Sequence, residues 1–98
     1  FIADYNAKGY DTPIGAYTPY AYEAGLILLQ ALKQCGDNPT PIAMRDAIAH
    51  GTFEGIMGTT TFNEIGQTEL VAVCLYVVQD GKWVYYEDSE YYSGKRKF

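Results

Sequence analysis

Tyr20-Ala-Tyr-Glu-Ala-Gly-Leu-Ile-Leu-Leu-Gln-Ala-Leu-Lys-Gln34 is the stretch whose character decides how the rest of the chain must be arranged. Ala21, Ala24, Leu28 and Leu32 recur at helical spacing, and Leu26, Ile27 and Leu29 widen the apolar arc past one face. Glu23, Gln30, Lys33 and Gln34 leave only a narrow polar stripe. A helix apolar over most of its girth needs cover on more than one side. Ala21 and Gly25, one turn apart, leave room for another backbone to come close. The remainder of a 98-residue chain offers few partners for so much surface, so the pattern predicts apolar faces left bare.

Working outward, Phe1, Ile2 and Tyr5 repeat at helical spacing before Gly9, which fits the residue just past a helix end. Thr12-Pro13, Gly15 and Thr18-Pro19 make Tyr10 to Pro19 a loop, with Thr18 as N-cap of the long helix. Gly36-Asp37-Asn38-Pro39 is a turn. Thr40-Pro41 repeats the cap-then-proline signature and opens a helix with Ile42, Met44, Ala47 and Ile48 inward, closed by Gly51. Thr59 to Phe62 is β-branched and aromatic, Asn63-Glu64-Ile65-Gly66 is a turn, and Leu70 to Val78 is apolar enough for a strand covered on both faces. Asp80-Gly81 marks a tight hairpin, with Trp83 to Tyr86 returning. The expectation is an α/β arrangement: helices 1–8, 19–35 and 41–50, then strands near 58–62, 70–79 and 82–86, with 87–98 a loosely held tail.

Charge and composition narrow the function. The net charge of −5 opposes binding to a phosphate backbone, and the one basic cluster, Lys95-Arg96-Lys97, follows the acidic Glu87, Asp88 and Glu90. No nucleic-acid partner is expected. No apolar run approaches the roughly 20 residues of a membrane-spanning helix. The chain opens on Phe-Ile-Ala-Asp-Tyr rather than Met, from which we expect a natural N-terminus with any targeting segment to lie upstream. The 10 tyrosines suit half-covered surfaces such as clefts or subunit contacts. Cys35 and Cys74 lack CxxC spacing, and three readings stay open: two buried thiols, a structural disulfide, or metal ligation.

Reaction chemistry is hard to assemble. His50 has no second histidine and no obvious nucleophile to serve, and Ser89 and Ser93 lie outside any Gly-x-Ser-x-Gly turn. Gly55 and Gly58 resemble half a phosphate loop without the Gly-Lys-Ser/Thr that completes one. Glu54, Glu64 and Glu69 sit in turn-rich sequence without apolar neighbours to raise a pKa. The expectation is therefore no enzyme, no catalytic residue, no metal and no cofactor.

Short motifs in a fixed order carry a resemblance. Phe1 to Lys8 is similar to an F-x-x-x-Y-x-x-K helix, and Ala16-Tyr17 with Ala21-Tyr22-Glu23-Ala24 to an A-Y … A-Y-D-A helix start. Ala31-Leu32 with Met44-Arg45-Asp46-Ala47-Ile48 is similar to A-L … R-D-A-L, and Phe53 to Gly58 to F-x-G-V-x-G. Phe62-Asn63-Glu64-Ile65-Gly66 is similar to F-D-x-x-G, with Asn63 in place of Asp, and Leu75 to Trp83 to a final hairpin. In this order they resemble the C-terminal portion of the type I periplasmic solute-binding proteins, in the branched-chain amino acid (Leu/Ile/Val) receptor group of ABC importers.

The resemblance implies that residues 1–86 are part of one lobe of a two-lobed clamp. That clamp would close on a small polar solute, an amino acid or related compound, and deliver it to an ABC permease. It implies a periplasmic or extracellular place, as a lipoprotein in a Gram-positive cell. A ligand-sensing receptor domain of the same fold, of amide or urea type, is the alternative. Tyr17, Thr18 and Tyr20 would border the cleft and bind ligand, the helix start favouring an anionic group. Plain packing of Tyr17 and Tyr20 on a neighbouring helix is the favoured reading of these two rings, and Tyr22 is expected in the core. A partial lobe also implies self-association or strand exchange through uncovered strands.

Overall fold

The computed structural model describes residues 1–70 and 73–98. Its elements are α1 (Ile2–Ala7), α2 (Thr18–Gln34), α3 (Pro41–His50), β1 (Phe53–Gly55), β2 (Gly58–Thr60), β3 (Tyr76–Gln79) and β4 (Lys82–Tyr85), followed by a 3-10 turn at Tyr86–Asp88. β1 pairs antiparallel with β2, and β3 with β4, in separate two-stranded sheets. Helices and small antiparallel strands therefore mix, and the fold is α/β in that coarse sense.

Local chemistry explains most boundaries. Thr40 is extended and its hydroxyl accepts the Ala43 N–H at 3.1 Å, with Pro41 in the first turn, where its missing N–H costs nothing. Thr40→Ala is expected to lower stability by about 1 kcal/mol in a denaturant titration, through the lost cap. Gly9 and Gly36 follow α1 and α2 at φ +68° and +66°, the left-handed geometry that ends a helix. Asp80 and Gly81 both have positive φ, 52° and 76°, as a two-residue hairpin turn requires.

The start of α2 differs from expectation. Tyr17, not Thr18, stands at the N-cap, because the Thr18 hydroxyl is engaged backwards, accepting the Gly15 N–H at 2.9 Å. The buried face differs too. Glu23, Ile27 and Ala31 point inward, whereas Leu28, Leu29 and Leu32 are 52%, 64% and 43% exposed. Glu23 and Gln30 leave the expected wet stripe because what packs there is backbone. Gln30 donates to the Glu54 carbonyl at 3.0 Å, and Glu23 accepts the Ile56 N–H at 2.8 Å. No described atom lies near enough to Gly25 to use the gap it leaves.

The core is Ile27, Ala31 and Phe53, with Met44, Ala47, Ile48 and Phe62 packed on it. Ile42, expected inward, is exposed, and α3 packs on the core through Met44, Ala47 and Ile48 instead. Tyr22, also expected in the core, is about half exposed and packs on the Phe1 ring instead. Cys35 is half-buried with Sγ 3.7 Å from Met44 Sδ, while Cys74 is exposed and both thiols are free.

The strands are shorter than the pattern suggested. β2 ends at Thr60, and its partner β1 lies outside the expected strands. Phe62 makes only an isolated bridge to Thr68. The Asn63 turn forms: its Oδ1 accepts the N–H groups of Ile65 and Gln67. Of the strand expected over 70–79 only β3 forms among described residues, and Val71 and Ala72 lie outside them. Val73 is 88% exposed, so cover on both faces is not met here: a two-stranded hairpin has no layer above or below it. β4 stops at Tyr85 as Tyr86 enters the 3-10 turn.

Residues after Glu87 fold back rather than hang loose. Buried Ser89 donates to the Tyr86 carbonyl, the Glu90 N–H donates to Gln79 Oε1 at 2.8 Å, and Arg96 reaches Asp80 at 3.1 Å and Glu90 at 3.3 Å. Nearby, the negative charge of Glu87 acts first, then burial, Cys74, Asp88 and Tyr76, to hold the Tyr85 phenol above its ordinary 10.0. A folded-state value raised in this way favours the protonated phenol. Its contribution is present below the unfolded value and is lost as pH climbs through the folded one. Glu87→Gln is expected to lower the alkaline transition of Tyr85, read by phenolate absorbance against the parent chain. Salt should shrink the difference, because the Glu87 carboxylate is exposed.

The chain is extended, with a radius of gyration of 18.5 Å where a compact domain of this length has about 13 Å. One body holds the helices with β1 and β2; the β3–β4 hairpin and its returning tail form the other. Bare apolar faces, expected from the long helix, are present on both.

Candidate functional site

The helical body carries an open groove of about 750 Å³ between α1, the following loop and the first turns of α2. Phe1, Asp4, Tyr5 and Lys8 reach it from one stripe of α1 and its cap, at i, i+3, i+4 and i+7. Thr18, Ala21 and Tyr22 reach it from α2 by the same periodicity. Tyr10, Asp11 and Thr12 come from the loop, which Tyr5 pins by donating its hydroxyl to the Thr12 carbonyl at 3.0 Å. Ile56 closes one end.

The rings form a run. Tyr22 lies 5.1 Å from Phe1, Phe1 6.1 Å from Tyr5, and Tyr5 5.0 Å from Tyr10, with successive planes inclined by 52°, 46° and 53°. Such tilted contacts are favourable for the rings themselves and keep the wall from lying flat. Charge of both signs borders it, from Asp4, Asp11 and Lys8. None of the three enters an ion pair among the described residues.

A second, narrower niche of about 190 Å³ lies on the other side of α2, lined by apolar side chains including Ala24, Ile27, Met57 and Leu70. Glu23 borders it. Its Oε2 accepts the Ile56 N–H, while its Oε1 is buried without a described partner. The carboxylate lies where a Cβ on Gly55 would stand, which is why this turn carries glycine there. Glu23 thus ties the β1–β2 turn to α2.

The three residues expected to bind ligand do not converge. Thr18 borders the larger groove, Tyr20 borders the niche, and Tyr17 is 83% exposed and lines neither. The larger groove draws instead on Phe1, Tyr5, Tyr10 and Tyr22. The spacing Phe1-x-x-Asp4-Tyr5-x-x-Lys8 carries that stripe in the sequence, but nothing in it says what faces α1. The arrangement suits non-covalent holding of a small molecule: aromatic faces, two carboxylates and an ammonium, open to solvent. Among the described residues no three His, Cys, Asp or Glu side chains gather as a metal site, and no helix is long and apolar enough to cross a membrane.

Compared with family models, with curated proteins and with solved structures, the chain gives no match.

Proposed function

We propose that this chain is part of an extracytoplasmic solute-binding protein of the type I clamp fold, which captures a small polar solute for an ABC permease. The solute class is an amino acid or related compound. The observation that carries the reading is the groove at the start of α2, where Asp4 and Asp11 face an ammonium's charge and Lys8 a carboxylate's, beside aromatic rings. A zwitterion presents that pair of charges. The ordered motifs from Phe1 to Trp83 support the same reading, as do the bare leucines of α2, which the remaining layers of a lobe would cover.

Calorimetric titration with free amino acids, amides and urea tests it. Heat with at least one of them, lost in Tyr22→Ala, is expected; no heat with any would remove the proposal. A partial lobe also predicts association through its apolar faces. Light scattering should give a mass above the 10.9 kDa of one chain as concentration rises. A monodisperse monomer throughout would count against a partial lobe.

A further inference from the structure

We infer that two copies of this chain pair about a two-fold axis, each laying the open face of its β3–β4 hairpin on the outer stripe of the other's α2. The inference rests on the partial-lobe reading and deepens it by naming the faces that meet. It needs no solute.

Each face lacks what the other supplies. The hairpin sets Tyr76 opposite Tyr85 and Val78 opposite Trp83, so these four side chains share one side of it. The returning tail takes hold on the opposite side, through Gln79. On the open side Tyr76, Val78 and Trp83 are 51%, 54% and 76% exposed. A two-stranded hairpin is marginal alone and gains stability by packing on a helix. On α2, Glu23, Ile27 and Ala31 turn to the core, and Gly25, Leu28, Leu29 and Leu32 run along the other side at i, i+3, i+4 and i+7. No described atom stands within 4 Å of a Cβ on Gly25, which leaves a large ring room there.

Charge and area name the occupant. Lys33 flanks the leucines, and Glu87 and Asp88 follow β4. All three are exposed, and none enters an ion pair among the described residues. The one acid of α2, Glu23, is buried, so the outer side of the helix meets the acidic end of the hairpin without like charges. The chain's own hairpin does not make this contact, since both faces are bare in one extended chain. A buried aromatic contributes about 150–250 Å², so a single contact falls short of the roughly 1,200 Å² at which specific interfaces begin. A two-fold axis repeats the contact and brings the total there.

Light scattering on the full chain, with tryptophan emission read on the same samples, tests the pairing. Mass should rise with concentration to twice the 10.9 kDa of one chain and stop. Emission of Trp83, the single tryptophan, should move to shorter wavelength over the same range as its ring leaves water. Leu29→Glu and Trp83→Glu should each weaken pairing by about tenfold or more, with helical circular dichroism unchanged, since neither is in the core. Charge reversal shows which face meets which. Lys33→Glu, and separately Glu87→Lys with Asp88→Lys, should each weaken self-pairing several-fold. A mixture of the two variants should pair as the parent does, because both contacts then join opposite charges.

Pairing that the Glu87 and Asp88 reversals leave untouched would overturn the inference, as would a mixture no stronger than its components. Mass that climbs past two copies without a plateau would overturn it too, yet leave association of a partial lobe standing. A monomer at every concentration removes both. Calorimetry with amino acids judges solute binding apart from any of these.

Discussion

Gly55→Ala is expected to cost about 3 kcal/mol, and most of that loss should vanish when Glu23 is alanine as well. The new methyl would fall on the Glu23 carboxylate, which already holds the Ile56 N–H. Something must give, and the pinned turn and the buried carboxylate resist together. Glu23→Ala alone should cost about 2 kcal/mol, through a charge-assisted hydrogen bond lost and an N–H left without its acceptor. Removing the carboxylate also clears the space, so the double variant should resemble Glu23→Ala rather than the sum. Gly55 does not adopt positive φ, so alanine suits its backbone. Gly58 is the control: at φ +117° its replacement is strained whatever stands beside it, and Glu23→Ala should not rescue Gly58→Ala. Additive losses at positions 23 and 55 in urea melts would show that the two do not meet.

The same pair shows where the sequence stops being readable. Element type followed from local chemistry: Thr40-Pro41 opened a helix, Gly9 and Gly36 ended two, and Asp80-Gly81 turned a hairpin. Each depends on neighbours within a few residues, and such rules act locally. Which face of α2 turns inward does not. Leucine content favours Leu28, Leu29 and Leu32, yet the β1–β2 turn brings backbone N–H and carbonyl groups that need a carboxylate and an amide opposite them. The part-buried Ile56 N–H, left unpaired, would cost about as much as a leucine left in water, about 1–3 kcal/mol. Glu23 and Gln30 therefore win a face that hydropathy assigns elsewhere, and a partner 24 or 33 residues away leaves no local trace.

Groove residues were legible to different degrees for a related reason. The spacing of Phe1, Asp4, Tyr5 and Lys8 declares one helical stripe, and that of Thr18, Ala21 and Tyr22 another, but their facing depends on the loop between them. One bond from Tyr5, within α1, to the Thr12 carbonyl fixes that loop, across a sequence separation of 7. Tyr17 and Tyr20 looked equally suited because aromatic rings near a helix start serve a pocket or a packing face alike. Position around α2 decides between them: Tyr22 shares a face with Thr18, and Tyr20 turns to the niche.

Phe53→Ala should unfold the helical body and spare the hairpin. Phe53 is fully buried, the largest side chain that is, and it carries a core otherwise made of Ile27 and Ala31. Gly51 is shaped to it, for a Cβ there would strike the Phe53 ring and the Ala47 carbonyl. Truncation of a buried phenylalanine costs about 3–5 kcal/mol, and whole domains hold about 5–15 kcal/mol. With so small a core the loss consumes most of what α2 and α3 have. The Tyr76 and Tyr85 rings, edge to face with centroids 5.7 Å apart across β3 and β4, report on the other body, whose bonds run between β3, β4 and the returning tail. Helical circular dichroism should therefore collapse while the tyrosine-rich hairpin keeps its near-ultraviolet signal. Loss of that signal in step with the helices would mean that the two bodies fold as one cooperative unit. Retained helices would mean that α2 and α3 stand on contacts other than this ring.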